Sequence, residues 1–355
     1  YQSFSRLPFM RSMILRWRCI RKARSLGAAL IAVVPRLVGA QVIDLTVHDV
    51  GLAIGDKPSM TGLRINFRDA KLRRLNGVNI TAWTPYDTGT GVVNGLAIGL
   101  PATGARVIQG AAIGILGAGS SRAMSGIAIG GAGVGSGGDV RGITLGGIGI
   151  GAGRNVTGIS VGGVGVGSGG DLRGIQIGGV GVGAGGGVTG ISIAGIGVGG
   201  GGNVNGLAIG GIGVGSGGSL TGIGIGGIGV GSGENITGVA IGGVGVGAGG
   251  TLHGLGIGGI GVGATKIDGV ALGGIGVGGL DVKAIVIAPG YFKIVDNGRF
   301  DGGAISAVTN VRGSQHGLTI GLFNYAHELH GAQIGLINIS DNEGHRRVLP
   351  LLSVR

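Results

Sequence analysis

GISVGGVGVGSGGDLR, residues 158–173, and GLAIGGIGVGSGGSLT, residues 206–221, are two of eight consecutive sixteen-residue units that fill residues 126–253. Numbered from its first glycine, a unit has aliphatic residues at places 2, 4, 7, 9 and 15. In the unit at Gly174 these are Ile175, Ile177, Val180, Val182 and Val188. Pairs two residues apart have the period of a strand with one buried face. No 3.6-residue stripe competes, and each glycine would cost a helix about 1 kcal/mol.

Two residues, usually glycines such as Gly178-Gly179, separate places 4 and 7. A Gly/Ser/Ala run such as residues 183–187 separates places 9 and 15. Glycine permits positive φ, so both stretches predict tight corners. One unit then makes one coil, and coils stacked about 4.8 Å apart pair backbone to backbone. The expected fold is all-β, a β-solenoid of about 16-residue coils with capping coils at both ends. In this reading the five aliphatic places point inward, glycine occupies the bends, and places 3 and 16 point outward. Phe, Tyr and Trp are absent from residues 87–290, which fits an interior too thin for a ring. The rival is an outer-membrane β-barrel with one hairpin per unit. A spanning strand needs about 9–11 residues, more than half a unit supplies, and barrels carry aromatic girdles.

Outward from the array, the repeat opening recurs at Gly51, Gly62, Gly77, Gly95 and Gly110, and the units at Gly254 and Gly269 shorten to fifteen residues. The expected organisation is a leader over 1–40, lead-in and capping coils over 41–94, the solenoid over 95–287, a protruding loop or hairpin over 288–303, and a C-terminal segment over 304–355. Asn297-Gly298 marks the turn of the hairpin. The C-terminal segment carries a fourteen-residue repeat, GLTIGLFNYAHELH and GAQIGLINISDNEG, and a last strand stopped at Pro350. Asn324 and Asn338 hold equivalent positions in that repeat and predict a stacked amide ladder. Around Gly62 the unit instead carries Arg64, Arg68, Lys71, Arg73 and Arg74. These five are the candidate interaction patch for an anionic ligand, weighed against a solvated cap.

Charge argues for a leader and against nucleic acid. The net +12 is concentrated in residues 1–40, which hold eight Lys or Arg and no acid; the rest holds nineteen bases and fifteen acids. Residues 16–24 are basic, residues 26–34 (LGAALIAVV) are apolar, and Val38-Gly39-Ala40 reads as a cleavage site before Gln41. That is the layout of a secretory signal peptide. The one cysteine, Cys19, lies inside it, which leaves the mature chain no thiol chemistry. Between Gly174 and Thr265 the only charged side chain is Glu234, so the array has no basic stripe for phosphates.

Motifs that carry chemistry elsewhere are weak here. GVGSGG, residues 133–138, matches a dinucleotide fingerprint but recurs in most units and opens no helix. The calcium-binding β-roll motif is approached by residues 130–135, but its required Asp position holds Gly135, and Asp139 and Asp171 recur in only two units. His327, Glu328 and His330 lack the spacing of a zinc site and read as a loop between repeats. Places 3 and 16 hold scattered threonines rather than the unbroken row an ice-binding face would use. Clustered acids and aromatic platforms for sugar chemistry are absent from the array. No catalytic, cofactor-binding or metal-binding residues are expected.

The repeat opening, residues 64–83, and the tail GLTIGLFNYAHELHGAQIGLINIS, residues 317–340, resemble secreted glycine-rich repeat proteins of bacteria. The tail is similar to the G-x-Q-I-G-L-x-N repeat of leptospiral-type surface-repeat proteins, although only residues 331–338 carry the Gln. The resemblance implies an envelope or surface location and supplies no catalytic residues. The expectation is a secreted, non-enzymatic rod or adhesin-like protein, able to self-associate through an uncharged repeat face. An outer-membrane barrel, and a solenoid binding ice or carbohydrate surfaces, are the alternatives.

Overall fold

A computed structural model describes residues 42–83 and 90–355; the leader with its cleavage site and Cys19 lie outside the described residues. The chain winds into a β-solenoid of about 17 coils. A repeat coil has a long side, from place 15 to place 5 of the next unit, and a short side, from place 8 to place 11. Leu172–Gly178 and Gly181–Ala184 are one such pair. Each strand pairs in parallel and in register with the equivalent strands one coil away. Val182 sits between Val166 and Val198, and Ile177 between Val161 and Ile193. Parallel neighbours one unit apart are stacked coils, which overturns the barrel, whose neighbouring strands run antiparallel.

The inward places differ from the expected ones. Val182 (place 9) and Val188 (place 15) are 2% and 1% exposed, but Ile177 (place 4) and Val180 (place 7) are 38% and 43% exposed. Strand parity explains this. The long side runs without interruption from place 15, so places 15, 3 and 5 share its inner face, and places 16, 2 and 4 share its outer face. Place 3, expected outside, is therefore interior: Thr144, Ser160, Gln176, Ser192, Ala208 and Ala240 are buried. The core consists of the Val, Ile and Leu columns of places 9 and 15, with small or polar residues between them. Where place 3 is glycine, a neighbouring leucine fills the space. A Cβ on Gly224 would come within 2.9 Å of Leu220 Cδ1, and one on Gly256 within 2.7 Å of Leu252 Cδ1.

The glycines also act differently from expectation. Positive φ falls at place 1, in the middle of the long side, as at Gly190 and Gly206. The corner glycines are there because coils stack too closely for a side chain: a Cβ on Gly179 would overlap the carbonyl of Gly163.

Residues 288–303 are not a protruding hairpin. Tyr291–Ile305 is a strand paired in parallel with Gly276–Ile287 and Val308–Ile320, and the extra residues form a bulge around Asn297, whose φ is 62°. Phe292 takes the register position of Val277, and Phe300 that of Val282. Both rings are fully buried and meet edge to face at 4.9 Å and 69°. The interior therefore admits rings where two face each other across the coil. Phe292→Leu keeps most of the volume but loses the edge-to-face contact. It is expected to cost about 1 kcal/mol in chemical denaturation.

Both ends are closed by a reversal. Ile43–Val47 lies antiparallel on Val50–Ile54, and Arg347–Val354 lies antiparallel on Ala332–Ser340. Pro350 does not stop the last strand; it sits within it, where an edge strand can dispense with one N–H.

Candidate interaction surfaces

The basic patch divides in the structure. Arg64 stands at an inward place 3 and is fully buried. Its guanidinium is paired with Asp56 and Asp69, and Nη1 also donates to Asn79 Oδ1 at 2.9 Å. Asp69, itself 3% exposed, accepts from Asn66 Nδ2 at 2.9 Å, Asn79 Nδ2 at 2.8 Å and Thr81 Oγ1 at 3.1 Å. Arg64 is thus a core cation that ties three coils together, and it is removed from the patch. Burial is tolerated because both acids and the amide engage its two terminal nitrogens, although Nε is left without a partner. Lys71, Arg73 and Arg74 are exposed and Arg68 is half-buried.

A second polar row, missed in the sequence, runs along the corner at place 14. Asn155 Oδ1 accepts the Asp171 N–H at 2.9 Å, and Asp171 Oδ1 accepts the Gly187 N–H at 2.9 Å. Asn203 and Asn235 receive the N–H groups of Ser219 and Thr251 in the same way, at 2.9 and 2.8 Å. The side chain of one coil thereby satisfies an amide of the next at a bend where no carbonyl is aligned. Counting Asp and Asn together, rather than Asp alone, reveals the row. At the other end of the rod, Asn324 Nδ2 donates to Asn338 Oδ1 at 2.8 Å, and both side chains are buried.

Near the C-terminal end the short side regains side chains and bounds an open groove of about 580 Å3. Asn310, Arg312, Phe323, Tyr325, His327 and Ile337 contribute to its walls. His327 and Glu328 lie in the strand Phe323–Leu329 rather than in a loop, and His330 stacks on His316 at 4.9 Å. Among the described residues no three His, Cys, Asp or Glu side chains come together as metal ligands would. Beside the groove, Asp341 accepts from Arg346 Nε at 2.9 Å and from the Tyr325 hydroxyl at 3.0 Å. The Arg346 guanidinium, with help from Tyr325, holds the Asp341 carboxyl below its ordinary value of 3.8. A depressed acid stabilises the fold above its unfolded value and loses that contribution as pH falls through the lower folded value. Amide protection in Arg347–Val354 is therefore expected to fall as pH drops below about 3.8, while that in Leu220–Gly226 holds. Hydrogen exchange corrected for intrinsic rates measures the difference.

The largest surface feature is apolar. At place 4 every coil from Ile54 to Ile334 presents Ile, Leu or Val to the outside, and at place 2 nearly every coil does. Ile143 is 45% exposed, Ile223 43% and Ile193 37%. Beside these two rows runs place 16, a polar row on the same face, with Thr157, Arg173, Thr189 and Thr221 all exposed or nearly so. The repeat face is uncharged in its middle and is built of isoleucine and valine beside a row that is mostly threonine.

No family model, curated protein or solved structure matches the chain.

The short side is the opposite of the long one: places 8 and 10 are glycine through the array, and a Cβ at Gly135, Gly183 or Gly215 would meet nothing within 4 Å. The rod therefore has an apolar long face, a bare backbone short face, one polar corner at place 14, and one corner that carries the exposed aliphatic residues of place 7, such as Ile148 and Val180.

Proposed function

We propose that the chain is a secreted, rod-like structural or interaction protein of a bacterial envelope or surface, and that its role is not catalytic. The observation that carries this reading is the pair of exposed aliphatic rows, unbroken from Ile127 to Ile287, on a stack capped at both ends. Contiguous apolar surface on this scale marks a contact with something else. A reversed strand at each end limits longitudinal growth, as capping repeats do in other solenoids. The rod is then finite, on the order of 80 Å at about 4.8 Å per coil. The basic-apolar-small layout of residues 16–40 supports export, and the resemblance of residues 317–340 to surface repeats supports the location.

Electron micrographs of the purified chain and fractionation of cells producing it test the two halves of the reading. Rods of one length in the envelope or medium are expected. A cytoplasmic protein that keeps its leader would overturn the location, and a round particle would overturn the rod.

A further inference from the structure

We infer that two copies of the chain pair face to face, antiparallel, through the long-side rows at places 16, 2 and 4, in one register centred on the coil of Thr221. The inference rests on the rod reading above and names its partner as a second copy.

Nothing inside the fold requires isoleucine at these places. Their parity puts them outside, and the core is completed by places 3, 5, 9, 11 and 15. Rows two residues apart lie about 7 Å from each other, so three rows over some fifteen coils make a strip on the order of 1,000 Å2. The strip as a whole meets the roughly 800 Å2 per partner of a stable interface. The strip has the layout of an interface: two aliphatic rows beside a polar rim of Thr157, Thr189, Asn205, Thr221 and Thr237.

Periodicity favours a second copy over a lipid surface. Side chains repeating every coil stay in one register along the whole length only against an object of the same repeat, and another rod has it. A membrane face usually adds Trp or Tyr along its border, and the array has no aromatic residue from 87 to 290.

Charge along place 16 selects the orientation and register. Strand pairing carries this row through Arg141, Thr157, Arg173, Thr189, Asn205, Thr221, Thr237, His253, Asp268, Lys283 and Asp301, one residue per coil. Arg173 lies three coils before Thr221 and Asp268 three coils after it. Arg141 lies five coils before and Asp301 five after. A two-fold axis lying in the interface along the strand direction at Thr221 reverses the rod and lays each row on itself. It brings Arg173 opposite Asp268 of the other copy and Arg141 opposite Asp301. Each pair then occurs twice, as an isologous interface demands. Lys283 falls opposite Thr157, so no like charges meet along this row. All four paired side chains reach solvent: Arg141 is 65% exposed, Arg173 61%, Asp268 53% and Asp301 31%.

Sedimentation equilibrium of the purified chain, with micrographs of the same sample, tests the pairing. A dimer is expected. Ile191→Lys with Ile223→Lys should give a monomer whose far-ultraviolet circular dichroism is unchanged. Arg173→Glu should weaken dimerisation by at least about tenfold, because the pair with Asp268 occurs twice in the dimer. Adding Asp268→Arg to the same chain should restore it. A dimer indifferent to Arg173→Glu, or one not restored by the second change, overturns the register. Single rods that remain monomeric overturn the pairing and leave the rod reading intact, whereas particles that are not rods overturn both. Monomers that float with phosphatidylcholine vesicles, and lose that property with the two lysines, assign the rows to lipid and overturn the pairing.

Discussion

Gly206→Ala is expected to destabilise the middle of the rod by about 3 kcal/mol or more, while Gly183→Ala leaves it unchanged or slightly firmer. Gly206 has a φ of 112°, a region L residues rarely enter, and an added Cβ would overlap the carbonyl of Gly190 in the preceding coil. The carbonyl cannot withdraw, because the register of Val188–Ala194 with Val204–Gly210 fixes it. Backbone strain and steric overlap therefore act together. Gly183 has neither problem: its Cβ would point into open space, and alanine in a strand is better by about 0.5–1 kcal/mol through the unfolded chain. Denaturant melts of the two variants beside the parent chain decide the matter. Equal effects from both would mean that glycine is used throughout for flexibility rather than for close stacking.

Arg64→Met should have the next largest effect, about 3–5 kcal/mol, confined to the N-terminal coils. Removing the guanidinium leaves Asp69 buried with three polar donors but no counter-charge. In a stack where each coil touches only its neighbours, such damage stays local. Hydrogen exchange should therefore accelerate across Val50–Ile54, Ser59–Asn66 and Arg74–Thr81 and remain unchanged across Leu220–Gly226. A uniform loss of protection along the rod would contradict this, and wild-type protection at Ser59–Asn66 would show that Arg64 contributes nothing net.

The coil and its length were legible in the sequence because a sixteen-residue period and paired aliphatics leave few other folds. The direction of the side chains was legible too, but only through parity. Place 15 and place 2 are an odd number of residues apart, so one unbroken strand cannot bury both Val188 and Ile191. Assigning every aliphatic residue to the core overlooks that rule. The error arises because hydrophobicity here serves two surfaces, an interior and an outer face. Arg64 was misplaced for the converse reason. A lone charged residue at a column that holds Ala53 in the coil before and Asn79 in the coil after looks like surface until Asp56 and Asp69 are seen closing on it. Phe292 and Phe300 resembled a loop because their columns hold valine in the coil before; only the pairing of Tyr291–Ile305 shows that they continue it.

The parallel stacking has a mechanical meaning. Tension applied to the two ends meets the hydrogen bonds between coils one layer at a time rather than all at once. A released sixteen-residue coil gives up about 5 Å of rod and supplies roughly 55 Å of extended chain. The remaining layers keep their contacts, since each depends only on the next. Such a rod lengthens under load by peeling from an end, dissipating work in equal steps, and it can rewind when the load falls.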